Sequence, residues 1–331
     1  MSWLLQAHPV EAHDPAVVAA ARKEGRVAWL TTQIMGELAL PLAAAFKSEH
    51  GVDVHVVRTT SRQTADRLTQ AARSPQSGID VVDGRSAIPH LKRAGLLVPL
   101  ASETLGRVQA DLADRDGYWI ATNVYFNTVA INIELVEPAR RPRTILDLLR
   151  PDWRGRIAWS GQATLSAGAG FVGAVLKDQG EAAGRSFLAR LAEQQIASFD
   201  VSSRQVIDKV IAGQFEMALQ VFNTQAAISA GRGAPVAWLP LEPLTASVTA
   251  VGITRQAPHP NAARLLVEFL LSRKGQEIFR EADYLPASSD VAPKDPGLAD
   301  LRARHRTVLF APEEIEAQMQ GWQALRNELF R

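Results

Sequence analysis

The sequence contains no cysteine, and this absence excludes several kinds of chemistry at once. Thiol catalysis, zinc–thiolate sites, iron–sulfur clusters and disulfides all require cysteine. A chain without disulfides is compatible with an oxidising compartment but does not indicate one. Thiol-dependent enzymes and disulfide-stapled domains are therefore excluded.

An excess of charge of either sign is also absent. Lysine and arginine number 36 and aspartate and glutamate 35, so no strong field exists to hold nucleic acid or an anionic membrane. The longest basic cluster, residues 140–143, is short and lies in a predicted loop. Nucleic acid is not expected as a partner.

Long apolar runs are absent as well. Every apolar stretch is shorter than the roughly 20 residues that a membrane-spanning helix needs. Residues 1–9 lack a basic segment followed by an apolar run, so no secretory signal peptide is predicted in this sequence. Two explanations remain open: a signal was removed and replaced by a start methionine, or the protein is not exported.

Recognisable catalytic and metal motifs are missing too. The seven histidines show neither HxxxH nor HxH spacing, and no Gly-x-Ser-x-Gly sequence occurs. Ala167-Gly168-Ala169-Gly170 lies in a predicted helix and is not followed by the Gly-Lys-Ser/Thr of a phosphate loop. The sequence predicts no catalytic residue, no metal site and no cofactor.

The chain does contain enough residues for more than one core. Its 331 residues, 47% of them hydrophobic and 21% charged, predict a globular protein with two lobes. In the first part, predicted strands at 26–30, 52–57 and 79–83 alternate with predicted helices. This alternation predicts a parallel sheet with right-handed crossovers.

Two long β-prone runs, residues 118–133 and 246–254, bracket a second α/β series. Runs of this length can leave one sheet and enter another, so a hinge is expected near them. We therefore predict two doubly wound α/β lobes joined by a two-strand hinge. Residues 1–122 and 250–331 are expected to form lobe 1, and residues 123–249 lobe 2.

Several segments of this chain resemble the periplasmic extracellular solute-binding proteins of ABC importers, in the branch that includes the ferric-iron binders. The resemblance runs from about residue 20 to 290 and is carried by Glu24-Gly25-Arg26-Val27, Ile79-Asp80-Val81-Val82-Asp83-Gly84, residues 94–100, Asp147-Leu148-Leu149, residues 151–157, residues 257–263, residues 272–277 and Tyr284-Leu285-Pro286.

The resemblance implies the type II periplasmic binding protein fold, a periplasmic location, a monomer and an ABC permease in the membrane as partner. It also implies that the protein closes on a ligand without performing chemistry on it. An enzyme on the same two-lobed scaffold stays open as the alternative of another class.

In a doubly wound sheet, ligands meet the loops that follow the carboxyl ends of the strands. The candidate ligand-binding residues lie in such loops or on the first long run: Thr32, Gln33, Ser61, Arg62, Arg85, Tyr125, Ser160, Gln162, Thr164, Ser203, Arg204, Phe222 and Asn223. Helix capping is the alternative role for the hydroxyl groups, and solvated surface positions are the alternative for the arginines.

Arg85, Arg204 and the helix N-termini favour a small organic anion, such as a carboxylate or a phosphonate. The iron-binding relatives imply adjacent tyrosines near the strand that ends at Val221, where this chain has Phe222 and Asn223. Only three tyrosines occur in the whole sequence. Ferric iron held with a synergistic anion, with Tyr125 or another oxygen donor, remains the alternative.

Overall fold

The computed structural model describes residues 14–71 and 78–330, which form two compact α/β units. Unit 1 contains the described residues up to Thr122 with residues 250–282 and 286–291. Unit 2 contains residues 123–249, 283–285 and 292–331. The chain changes unit inside two long strands, so the predicted pair of connecting strands is present.

The helices are α1 (Pro15–Glu24), α2 (Leu40–His50), α3 (Ser61–Ala71), α4 (Ala87–Arg93), α5 (Ser102–Leu105), α6 (Gly168–Gln179), α7 (Glu181–Ala192), α8 (Ser203–Ile211), α9 (Asn223–Gly231), α10 (Pro260–Leu270), α11 (Arg273–Glu281), α12 (Leu301–Arg304) and α13 (Pro312–Leu329). A π-helical turn, Met35–Ala39, precedes α2. Within the described ranges, no helix is long and apolar enough to cross a membrane.

The strands are β1 (Arg26–Thr31), β2 (Asp53–Arg58), β3 (Val81–Gly84), β4 (Leu97–Val98), β5 (Ile120–Asn132), β6 (Ile157–Ser160), β7 (Ala197–Phe199), β8 (Met217–Phe222), β9 (Val236–Leu239), β10 (Leu244–Thr254), β11 (Leu285–Pro286) and β12 (Thr307–Phe310).

In unit 1, β1 lies between β2 and β3 and pairs with both in parallel. The end of β10 pairs antiparallel with β3. The apolar run at 27–30 is buried because β1 is an inner strand, and α10 packs on α1. The alternation of strands and helices predicted from the sequence is confirmed here.

In unit 2, β8 lies between β5 and β6, antiparallel to the first and parallel to the second. β7 extends this sheet beside β6 in parallel, although its three residues carried too little pattern to be predicted. Since β6, β7 and β8 run in the same direction, their carboxyl ends meet at one edge. The loops after these strands are thereby brought together.

The placement of residues 292–331 differs from the expectation that they belong to lobe 1. β12 pairs with Leu244–Ser247 of β10, and α13 packs on α6 within unit 2. Gly173 of α6 makes this packing possible, because a Cβ at this position would lie 2.5 Å from the Trp322 ring. The unit to which this segment belongs depends on how its side chains pack, and local sequence patterns do not reveal this packing.

The start of α6 also differs from the prediction. The sequence pattern predicts a helix over residues 164–179, but α6 begins at Gly168, so Gly168 and Gly170 lie in its first turn. A Cβ on Gly170 would collide with the backbone carbonyl of Leu165, because the preceding loop folds over this turn. Gly170 therefore allows the close approach of the 161–167 loop, whereas Gly168 makes room for the Trp159 ring of β6.

Candidate functional site

In unit 1, the buried carboxylate of Asp83 organises the ends of two neighbouring strands. It accepts hydrogen bonds from Trp29 Nε1 (3.0 Å), Thr31 Oγ1 (2.5 Å), Thr32 N (2.7 Å) and Thr32 Oγ1 (2.6 Å). Burial raises the pKa of Asp83, although these hydrogen bonds oppose the shift. Gln33 N donates to Thr31 Oγ1 at 3.0 Å, so the loop after β1 has a fixed backbone.

The other unit 1 candidates lie at the starts of helices. Arg85 is half-buried in the turn between β3 and α4, two residues after Asp83. Ser61 and Arg62 lie in the first turn of α3, but their side chains lie outside the part of the chain that the structure describes. The structure therefore brings Thr32 and Gln33 to one strand edge with Arg85 at the end of the neighbouring strand.

In unit 2, three candidates lie at the end of β6 and in the loop that follows it. The buried Ser160 donates from Oγ to the Val201 carbonyl (2.6 Å) and accepts from Gln162 N (3.2 Å). Ser160 thus fastens the loop and does not cap α6. Gln162 and Thr164 are exposed, and Thr164 N donates to the Gln162 carbonyl at 2.9 Å. Their side chains therefore face solvent.

The 161–167 loop leads into the N-terminus of α6, which has no side-chain cap within the described ranges. Gln220 Nε2 donates to the Leu165 carbonyl at 3.1 Å and holds the end of the loop. The first N–H groups of a helix lack intrahelical acceptors, and the helix dipole makes this end positive. Such an end is suited to an anion.

A β-bulge shapes the end of β8. The pairing of β5 with β8 shifts between Thr128 and Val129, and Gln220 adopts a left-handed φ of 59°. Bulges of this kind redirect the residues that follow them. Phe222 and Asn223 follow Val221, and Asn223 Oδ1 accepts a hydrogen bond from Phe126 N at 3.2 Å.

An aromatic cluster surrounds this strand end. The ring of Tyr125 lies 5.2 Å from that of Phe222 and 5.5 Å from that of Tyr284, measured between centroids. The sequence lacks adjacent tyrosines, but the fold brings Tyr125 and Tyr284 together within unit 2. Sequence reasoning missed this pair because the two residues are far apart in the chain.

At the start of α8, Ser202 is the capping residue and Ser203 is not. Ser202 and Gln205 form a capping box, in which each side chain serves the other residue's backbone N–H. Ser203 is buried and donates to Gln225 Oε1 at 3.2 Å. Its hydroxyl therefore joins α8 to α9.

Arg204 is also engaged inside unit 2. Its guanidinium donates to the Gln225 carbonyl (3.1 Å), to Ser229 Oγ and to Asp208 Oδ1 (2.7 Å). Asp208 neutralises its charge in a pair of the i, i+4 type on α8. These contacts give Arg204 a role in helix packing, so they do not support the expectation that it binds an anion.

Two residues of α13 meet the loop after β6 and were not predicted. Arg326 Nη2 and Gln323 Nε2 both donate to the Gly161 carbonyl, at 2.8 and 3.1 Å. Arg326 Nη1 also donates to Ser198 Oγ at 2.9 Å. Since the sequence placed this helix in the other lobe, nothing in it indicated this contact.

Comparison with known proteins supports the architecture. A family model described as a bacterial extracellular solute-binding protein matches residues 76–306, more than half of the chain. The chain is 22% identical over 282 residues to the Fe(3+)-binding periplasmic protein of Serratia marcescens, covering 83% of this chain and 81% of that protein.

Two solved structures extend the likeness to the fold. Iron-bound HitA from Pseudomonas aeruginosa superimposes with a TM-score of 0.75 at 22% identity, covering 92% of this chain and 99% of HitA. AfuA from Actinobacillus pleuropneumoniae, with exogenous fructose-6-phosphate bound, gives 0.74 at 17% identity, covering 93% and 99% of the two chains.

The predicted fold class, two doubly wound α/β lobes joined by two strands, is thus confirmed. The family is periplasmic and consists of binding proteins that serve ABC-type import systems together with a permease. The matched segment begins before β3 and contains the strands and helices from β3 to α12. This chain belongs to the bacterial extracellular solute-binding proteins, as the substrate-binding component of an import system.

Proposed function

We propose that this protein binds a small organic anion, a carboxylate or a phosphonate, and delivers it unchanged to an ABC permease. The observation that carries the proposal is the 161–167 loop, which leads into the uncapped N-terminus of α6. Because the loop is held through its Gly161 and Leu165 carbonyls, its backbone has a fixed course. A prepositioned loop loses little conformational entropy when a ligand binds.

Unit 1 has polar groups of its own at a strand edge. Thr32 and Gln33 lie at the end of β1, where Asp83 fixes the threonine through two hydrogen bonds. Arg85 follows the neighbouring strand, and a guanidinium suits a carboxylate or phosphonate through paired charge-assisted hydrogen bonds.

Titration calorimetry on protein that has been unfolded and refolded, to remove carried-over ligand, tests the proposal. The panel contains carboxylates, phosphonates, sugar phosphates and ferric citrate. We expect an organic anion to bind and to be recovered unchanged by NMR after prolonged incubation. Tight binding of ferric ion without binding of any organic anion would contradict the proposal, and chemical conversion of the ligand would support an enzyme instead.

A second candidate, ferric iron held with a synergistic anion, is favoured by the Tyr125 and Tyr284 pair. Phenolate oxygen is a hard donor of the kind that ferric iron prefers. The names of the Serratia marcescens and Pseudomonas aeruginosa relatives also refer to iron.

The iron candidate predicts a visible charge-transfer absorbance after ferric citrate is added. Tyr284→Phe and Tyr125→Phe would abolish this absorbance, whereas Tyr118→Phe, in unit 1, would retain it. A protein that stays colourless under these conditions contradicts the iron candidate and leaves the organic anion.

A further inference from the structure

Arg326 is a buried cation in the last turn of α13. The residue is 8% exposed, and its two terminal nitrogens donate to the Gly161 carbonyl and to Ser198 Oγ. Its Nε has no hydrogen-bond partner among the residues that the structure describes. Both acceptors are neutral oxygens, so the hydrogen bonds leave the positive charge uncompensated.

Other arginines of unit 2 contrast with Arg326. Arg204 pairs with Asp208, and Arg156 pairs with Glu216. Burial lowers the pKa of the Arg326 guanidinium, and desolvation is the cause, with no carboxylate acting against it. Holding an unpaired charge away from water costs free energy, and an anion that enters nearby would offset that cost.

The position of Arg326 relates it to the proposed anion site. Gly161 is the first residue after β6, and Ser198 lies in the parallel neighbour β7. A Cβ on Gly161 would lie 3.1 Å from Ser198 Oγ and 3.5 Å from Arg326 Nη2. The guanidinium therefore packs closely against the peptide from which the 161–167 loop begins.

We propose that Arg326 is a positioning residue that fixes the Gly161 peptide, and that its uncompensated charge makes the site prefer doubly charged anions to singly charged ones. This inference rests on the proposed function, since it concerns the same loop. The attraction between a fixed charge and a ligand is proportional to the charge of the ligand. Removing the fixed charge must therefore lower the logarithm of the binding constant about twice as much for a dianion as for a monoanion of the same shape.

The test uses two pairs of probes that differ in charge and little in shape: glucose 6-phosphate with glucose 6-sulfate, and succinate with succinamate, all at pH 8. In Arg326→Gln, which loses the charge, we expect the affinity for the dianion of a binding pair to fall about tenfold and that for the monoanion about threefold. Arg326→Lys, which keeps the charge but loses the planar fork, should keep the preference for the dianion while weakening both probes.

Two further variants separate charge from loop positioning. Gln323→Leu removes a neutral donor to the same Gly161 carbonyl, so it should weaken both probes of a pair equally. Arg185→Gln removes an exposed charge of α7, paired with Glu181, and should leave both affinities unchanged. Circular dichroism and thermal unfolding check that each variant is folded.

The outcomes distinguish the two proposals. A wild-type protein that binds neither pair, nor any anion of the panel, overturns the proposed function and this inference with it. If the wild type binds a pair but Arg326→Gln weakens its two members equally, the inference alone is overturned. If Arg326→Gln does not fold, loss of the dianion preference in Arg326→Lys overturns the inference in the same way.

Discussion

The two units fix the ends of their strands with buried charges of opposite sign. In unit 1 the carboxylate of Asp83 accepts from Trp29, Thr31 and Thr32. In unit 2 the guanidinium of Arg326 donates to Gly161 and Ser198. A buried carboxylate occupies hydrogen-bond donors that an anion could otherwise use. A buried guanidinium occupies hydrogen-bond acceptors and leaves a positive electrostatic potential. The positive potential lies in unit 2, next to the loop that we propose binds the anion.

The largest expected effect comes from disturbing the loop of unit 2. Gly170→Ala introduces a Cβ that collides with the Leu165 carbonyl, so the loop or α6 must move. Overpacking of this kind lowers the free energy of unfolding by about 3 kcal/mol, measured by urea denaturation. Gly321→Ala in α13 is the control, since no atom lies within 4 Å of the new Cβ, and it should not destabilise the protein. Equal stability of the two variants would contradict the close approach.

Removing the buried charge of unit 1 should cost somewhat less. Asp83→Asn leaves an amide where Trp29, Thr31 and Thr32 direct their donors, so at least one N–H or O–H loses its acceptor. We expect the free energy of unfolding to fall by about 2 kcal/mol. Asp200→Asn, at an exposed position of unit 2, should leave it unchanged. If Asp83→Asn has the same free energy of unfolding as the wild type, the comparison between the units loses its basis.

The pH dependence of stability sharpens the same comparison. Burial raises the folded-state pKa of Asp83, so the folded protein binds this proton more tightly than the unfolded chain. The stability contributed by this group is therefore greatest below its unfolded pKa and is lost as the pH rises through the folded pKa. Urea denaturation at several pH values should show that the wild type loses stability relative to Asp83→Asn over this interval. The opposite slope would contradict the raised pKa.

The smallest expected effect concerns an exposed hydroxyl of the unit 2 loop. Thr164→Ala should leave the melting temperature unchanged and weaken the bound anion about threefold to tenfold, the value of one hydrogen bond. Ser186→Ala, an exposed hydroxyl of α7, serves as the matched control. A wild-type affinity in Thr164→Ala would remove this residue from the proposed site.

Much of the fold was predictable because its signals are local. The apolar runs of β1 and β8 and the long strands β5 and β10 are visible in the sequence, and the helices between them begin or end at capping residues and glycines. The short strands β7 and β12 were missed, since three or four residues carry little periodicity. Their place depends on pairing with β6 and β10, which is a tertiary property.

The candidate site was predictable as a set of loops but not as a set of contacts. A serine after a strand looks the same in sequence whether its hydroxyl faces a ligand or, as Ser160 does, a backbone carbonyl. The same holds for Arg204, whose guanidinium donates a hydrogen bond to its ion-pair partner Asp208. Arg326 had no local signal, because its role depends on the packing of Trp322 against Gly173.

The origin of unit 2 from distant segments has a consequence for how the protein is made. Arg326 is translated after β6, β7 and α6, and the chain passes through unit 1 before α13 is synthesised. The Gly161 carbonyl therefore receives its two side-chain hydrogen bonds only after α13 has been synthesised. A nascent chain that has completed every strand of unit 2 except β12 still lacks a finished site, so binding competence arises late in synthesis.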